Sequence, residues 1–239
     1  MKLYCFSYAG GSAMTYAKWK TQAHKSLEVI PFEIPGRGTR FSEELCTDME
    51  ELVDDIYGNL KDEFNRGDYM LFGHSMGSLI AYHLAKKIAE TDTTPPVHLF
   101  VSGKEAPHLR KSEISCQNMS EKEFIEYVYD FGGTPKELLE NEDFLNIFLP
   151  ILKSDFLLIE KCKPENAKKY FDFGITAFYG REDDIEEENI WEWERYTTGE
   201  FSAYPFQGGH FFLHNYTEDI LSIIYKESKR SRICLKAVK

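Results

Sequence analysis

Apolar positions along this chain change period several times, and each change predicts an element. Lys2–Ser7, Leu27–Ile34, Tyr69–Phe72, Val97–Ser102 and Gly174–Tyr179 are short, near-continuous apolar runs. Such runs suit strands covered on both faces. Pro31, inside the second run, fits an edge strand or a bulge. Between the runs the spacing shifts to a helical period. Met14–His24 spaces Tyr16, Trp19 and Lys20, and Met49–Phe64 puts Leu52, Val53, Ile56 and Leu60 on one face. Leu79, Ile80, Tyr82, His83 and Leu84 carry the third run on as a helix. Alternating strand and helix predicts right-handed crossovers and an α/β fold, a mainly parallel sheet with helices on both faces.

The alternation stops after Ser102. From about 105 to 170 there is no strand pattern but several helical ones. Ser120 and Glu123 have capping-box spacing, with Phe124, Tyr127, Val128 and Phe131 on one face behind them. Thr134-Pro135-Lys136-Glu137 opens a second short helix, and Phe144, Ile147, Phe148 and Ile151 line a third that Pro150 should bend. A helical insertion of this length beside the sheet is where a lid would sit. The sheet then resumes. Asp183–Glu188 opens a helix holding Ile190, Trp191 and Tyr196, and Glu200–Phe206 is the last strand. Thr217–Tyr225 is the closing helix, and Lys226–Lys239 reads as a frayed basic tail.

With 239 residues, 42% of them hydrophobic, the chain can bury a full core, and we read 1–239 as one domain with its insertion at about 105–170. A formal charge of -12 argues against a nucleic-acid partner. The five cysteines are scattered without a C-x-x-C pair, as expected for reduced thiols in a cytoplasmic protein with no metal site. The first apolar run is too short for a signal peptide, and no stretch could span a bilayer. A monomer is expected, because no apolar helix is left over.

The chemistry centres on Gly73-His74-Ser75-Met76-Gly77, between a strand and a helix. That layout is a nucleophile elbow: the glycines allow a tight turn, and the serine projects above the strand end. A serine hydroxyl needs a base near neutral pKa, which means histidine. Of seven histidines, only His210 lies in a glycine-supported loop at the sheet's carboxyl end, with His214 as a fallback. His74 should turn away beside Ser75, and His83 and His98 fall in regular elements. Asp183 follows a strand end and could hold the imidazole, although its neighbour Asp184 could do the same. Ser75…Asp183…His210 is the chain order of the α/β-hydrolase fold. Two backbone donors for an oxyanion are expected at Met76 and at Ala9, before Gly10-Gly11.

FSYAGGSA, PGRGTR, FGHSMG, the Pro107-His108 pair, LPILKSD and GGHFFL follow one another along nearly the whole chain. In that combination the chain resembles the type II thioesterases, the stand-alone editing enzymes of nonribosomal peptide and polyketide synthesis. The resemblance implies the triad Ser75, Asp183 and His210, oxyanion donors Ala9 and Met76, and a helical lid. It also implies hydrolysis of acyl groups from the phosphopantetheine arm of a carrier protein, with no cofactor of the enzyme's own. Other readings stay open: a general carboxylesterase or acyl-CoA thioesterase, a product-releasing acyltransferase, or a non-catalytic acyl-binding relative. Carrier domains are usually acidic, so docking on an acidic chain calls for a local basic patch, expected around Arg37, Arg40, Lys104, Arg110 and Lys111.

Overall fold

The structure is a computed structural model that describes residues 1–109 and 115–237. Among the described residues six strands form one sheet: β1 (Lys2–Phe6), β2 (Glu28–Pro31), β3 (Tyr69–His74), β4 (His98–Ser102), β5 (Gly174–Gly180) and β6 (Phe201–Phe206). Their order is β2-β1-β3-β4-β5-β6, with every neighbouring pair parallel. The register sets Phe6 beside Gly73, His74 beside Ser102 and Ser102 beside Phe178, so the central strands end level at one rim. In such sheets ligands sit off the carboxyl ends of the strands.

The two faces are buried differently. On one, α2 (Met49–Phe64) and α3 (Met76–Ala89) pack on the sheet, with Leu52, Val53 and Ile56 buried from α2. Removing a fully buried aliphatic side chain such as that of Ile56 should cost about 2–5 kcal/mol. Helix α3 is apolar nearly all round because α2 and the rings of Phe171, Trp193 and Tyr196 also enclose it. The other face carries α1 (Ala17–Gln22) and α8 (Thr217–Ala237), whose Trp19, Ile220, Leu221 and Ile224 share a core with Met70 and Phe100.

Between β4 and β5 lie α4 (Glu121–Phe131), α5 (Lys136–Leu139) and α6 (Glu142–Lys161). The capping box at Ser120 and Glu123 is present. Phe124 and Val128 bury themselves against Leu139, Leu149 and Leu152, so the insertion has a small core of its own. Helix α7 (Glu187–Trp191) follows β5.

Several expectations need correction. The basic tail is not frayed from Lys226, because α8 runs on to Ala237. Lys, Arg and Glu are good helix formers, and Arg230 ties this stretch to Glu227 and Glu200. The first helix is shorter than Met14–His24: a 3-10 turn over Ala13–Tyr16, pinned by the Tyr16 hydroxyl donating to Phe6 O, precedes α1. Edge strand β2 stops at Pro31 rather than Ile34, the last bond to β1 being Phe32 N–H donating to Cys5 O at 2.9 Å. Helix α6 continues through Pro150 to Lys161, and Ile147 faces outward with 56% exposure rather than lining the buried face. Asp183 and Asp184 precede α7 in a turn instead of opening the helix.

Candidate active site

Ser75 caps the start of α3 with φ 54° and ψ -115°, the one positive-φ non-glycine among the described residues. Holding an L residue there costs on the order of 1–3 kcal/mol. The flanking glycines show why the turn can form. A Cβ on Gly73 would lie 1.9 Å from Gly77 O, and one on Gly77 would lie 2.0 Å from Phe6 O. Two further serines, not singled out by sequence reasoning, stitch the turn to β4. Ser75 N–H donates to Ser102 O at 2.7 Å, and Ser102 N–H donates to Ser78 Oγ at 2.9 Å. Ser78 Oγ in turn lies 2.9 Å from Gly73 O and 3.0 Å from Ser102 O.

His210 follows β6 and Asp183 follows β5. Gly180 lets their loops touch, since a Cβ there would lie 2.5 Å from the carbonyls of both Gly208 and Gly209. His210 Nδ1 bonds Asp183 Oδ2 at 2.8 Å, and Asp184 N–H donates to Asp183 Oδ1 at 2.9 Å. Of the two neighbouring aspartates, Asp183 meets the imidazole, and Asp184 braces Asp183 with its amide. His214 is engaged with the Tyr8 hydroxyl at 3.1 Å. His74 does bury itself away toward Ser102 Oγ, at 2.8 Å, but its ring also packs 5.1 Å from that of His210. Burial pushes the His74 pKa well below the usual imidazole value, with His210 and His214 adding to the effect. His74 is thus a neutral neighbour at pH 7. His98 and His83 are engaged as structural residues, with Thr176 and Cys162 respectively.

Ser75, Asp183, His210 and Ala9 line one cavity of about 870 Å³, walled on the insertion side by Tyr127, Val128, Leu152, Phe156 and Ile159. Met76 begins α3 directly after Ser75, so its amide belongs to the helix's unsatisfied first turn. In the loop after β1, Gly11 N–H is taken by Tyr8 O and Gly10 N–H by Asp155. The arrangement offers a hydroxyl, an imidazole–carboxylate pair and helix-end amides around a chamber lined by both apolar and charged side chains, which suits acyl transfer.

The expected basic patch does not form around Arg37. That side chain is 4% exposed and paired with Asp155. Arg40 is held by Glu43 and Asp55, and Lys104 lies 3.4 Å from Glu105. Arg110 and Lys111 lie outside the described residues. Among the described residues no group of three or more His, Cys, Asp or Glu could hold a metal ion, and no helix is long and apolar enough to cross a membrane.

Residues 1–227 match the family model described as Thioesterase domain. Two similar curated proteins are the linear gramicidin dehydrogenase LgrE of Brevibacillus parabrevis and the medium-chain S-acyl fatty acid synthase thioesterase of Rattus norvegicus. The first is 35% identical over 226 residues, spanning 93% of this chain and 85% of that protein. The second is 37% identical over 217 residues, spanning 89% and 81%. Among solved structures, ClbQ from the colibactin NRPS/PKS pathway superposes with a TM-score of 0.89 at 30% identity, covering 98% of each chain.

Proposed function

This chain belongs to the thioesterase family and is a thioester hydrolase of the α/β-hydrolase fold; on that premise we propose that it removes acyl groups from the phosphopantetheine arm of carrier proteins in nonribosomal peptide or polyketide synthesis, acting as an editing enzyme through an acyl-serine. The whole chain works as one domain and one protomer, with the 105–170 insertion as its lid. The observation that carries the reading is the 2.8 Å bond between His210 Nδ1 and Asp183, in a cavity that Ser75 shares.

In this mechanism Ser75 Oγ attacks the thioester carbonyl while His210 Nε2 takes its proton. Asp183 keeps the proton on Nδ1 and stabilises the imidazolium. The Ala9 and Met76 amides receive the oxyanion. A thiol with pKa near 8.5 leaves readily, so the thioester asks little of the general acid. Water activated by the same imidazole then releases the acyl group, and the neutral His74 ring beside it adds no opposing charge. The aliphatic and aromatic wall of the insertion suits an apolar acyl chain. The dehydrogenase name of one relative carries no weight here, because no G-x-G-x-x-G/A turn follows the first strand.

Turnover of one acyl group carried on a carrier protein, on coenzyme A and as a nitrophenyl ester tests the proposal. The highest kcat/KM is expected on the carrier. Equal or faster turnover of the free substrates would replace the editing role with a general esterase.

A further inference from the structure

One cluster of buried charge has no part in that mechanism. Asp155, on α6, and Arg37, in the loop after β2, form a two-pronged ion pair, with Nη1 to Oδ2 and Nη2 to Oδ1 both at 2.6 Å. Their side chains are 4% and 2% exposed. Asp155 Oδ2 also accepts from Gly10 N–H at 2.7 Å, and Arg37 Nη1 donates to Gly11 O at 3.1 Å. The pair therefore holds the backbone just past Ala9 by one donor and one acceptor. Helix α6 presses on the same spot through two more side chains, those of Phe148 and Leu152. A Cβ on Gly10, which has φ +77°, would lie 2.8 Å from Leu152 Cδ1 and 2.9 Å from Phe148 Cζ.

Stability alone is a poor reason for this pair. Apolar residues of similar volume commonly replace a buried ion pair at no loss. Arg37 Nε adds to the cost, since it is buried with no hydrogen-bond partner among the described residues. What apolar side chains cannot do is accept the Gly10 N–H. A glycine with positive φ could otherwise let the Ala9–Gly10 peptide plane swing, and Ala9, whose N–H lies in the plane before it, would lose the backbone angles that aim that N–H.

We propose that Arg37 and Asp155 are positioning residues, which anchor the loop to α6 so that the Ala9 N–H stays aimed at the developing oxyanion. The inference rests on the reading of Ala9 as an oxyanion donor. It also couples any displacement of α6 directly to the oxyanion site.

The test uses the double variant Arg37→Met/Asp155→Leu, which strands neither charge, and two ligands. An acyl-pantetheine trifluoromethyl ketone takes the Ser75 Oγ on its carbonyl carbon, with the serine proton passing to His210, and so needs the oxyanion donors. A thioether analogue binds without that step. The double variant should bind the ketone roughly 10- to 100-fold less tightly, a share of the effect of losing a whole donor. Its thioether affinity should stay within about threefold, and kcat should fall with KM little changed. Should that variant not fold, Arg37→Lys keeps the charge but loses the fork, and should show a smaller loss of the same pattern. Unchanged ketone affinity, or parallel loss of both ligands with melting temperature, would overturn the proposal. A wild-type protein that forms no adduct at Ser75 would sink the nucleophile reading, and this inference with it.

Discussion

The strained backbone at Ser75 can be separated from its hydroxyl. Replacing Ser75 by Ala and by Gly removes the same Oγ, but only glycine is at ease with φ 54° and ψ -115°. The strain relieved is about 1–3 kcal/mol. Against it stands about 0.5–1 kcal/mol, the extra chain entropy that glycine loses on folding. The difference leaves Ser75→Gly more stable than Ser75→Ala by about 1 kcal/mol. For a chain of this length that is roughly 2–4 °C in Tm. Thermal unfolding followed by circular dichroism measures it, with hydrolysis assays run alongside to show both variants inactive. If the glycine variant melts at or below the alanine variant, the elbow stores no strain and the reasoning fails.

Two further outcomes follow from the site and its surroundings. Asp183→Asn should cut kcat by about 10⁴, as loss of the histidine's orienting acid does elsewhere, whereas Asp184→Asn should leave steady-state kcat nearly intact because only its amide braces Asp183. A reversed ranking would reassign the acid. Acid stability should depend on buried neutral histidines: burial, aided by Arg230, lowers the His98 pKa to about 3. The unfolded chain then binds the extra proton first, so stability is full above about pH 6.5 and falls as pH drops toward 3. At pH 5 the loss from His98 is about 2 kcal/mol. Urea unfolding at pH 7.5 and pH 5 should show this loss shrink in His98→Gln, and an equal loss in both proteins would refute it.

The strands, the elbow and the order of Ser75, Asp183 and His210 were legible because each is written locally, in apolar runs ended by glycine loops. Which of Asp183 and Asp184 meets the imidazole was not, since that contact depends on how Gly180 lets two distant loops meet. Arg37 looked like a surface charge because its partner lies 118 residues away on α6. Periodicity shows which face of a helix is buried but not what lies across from it. The basic composition of the last segment likewise hid a helix, one of whose ion pairs reaches Glu200, just before β6.

Trapping the acyl-enzyme separates Ser75 from every other nucleophile in the chain. The wild-type protein is mixed with an acyl-loaded carrier protein, quenched with acid within milliseconds, before the acyl-serine turns over, then digested and weighed by mass spectrometry. The acyl mass is expected on the peptide containing Ser75, and none in Ser75→Ala. An acyl group on any other residue, or thioester hydrolysis undiminished in Ser75→Ala, would contradict it.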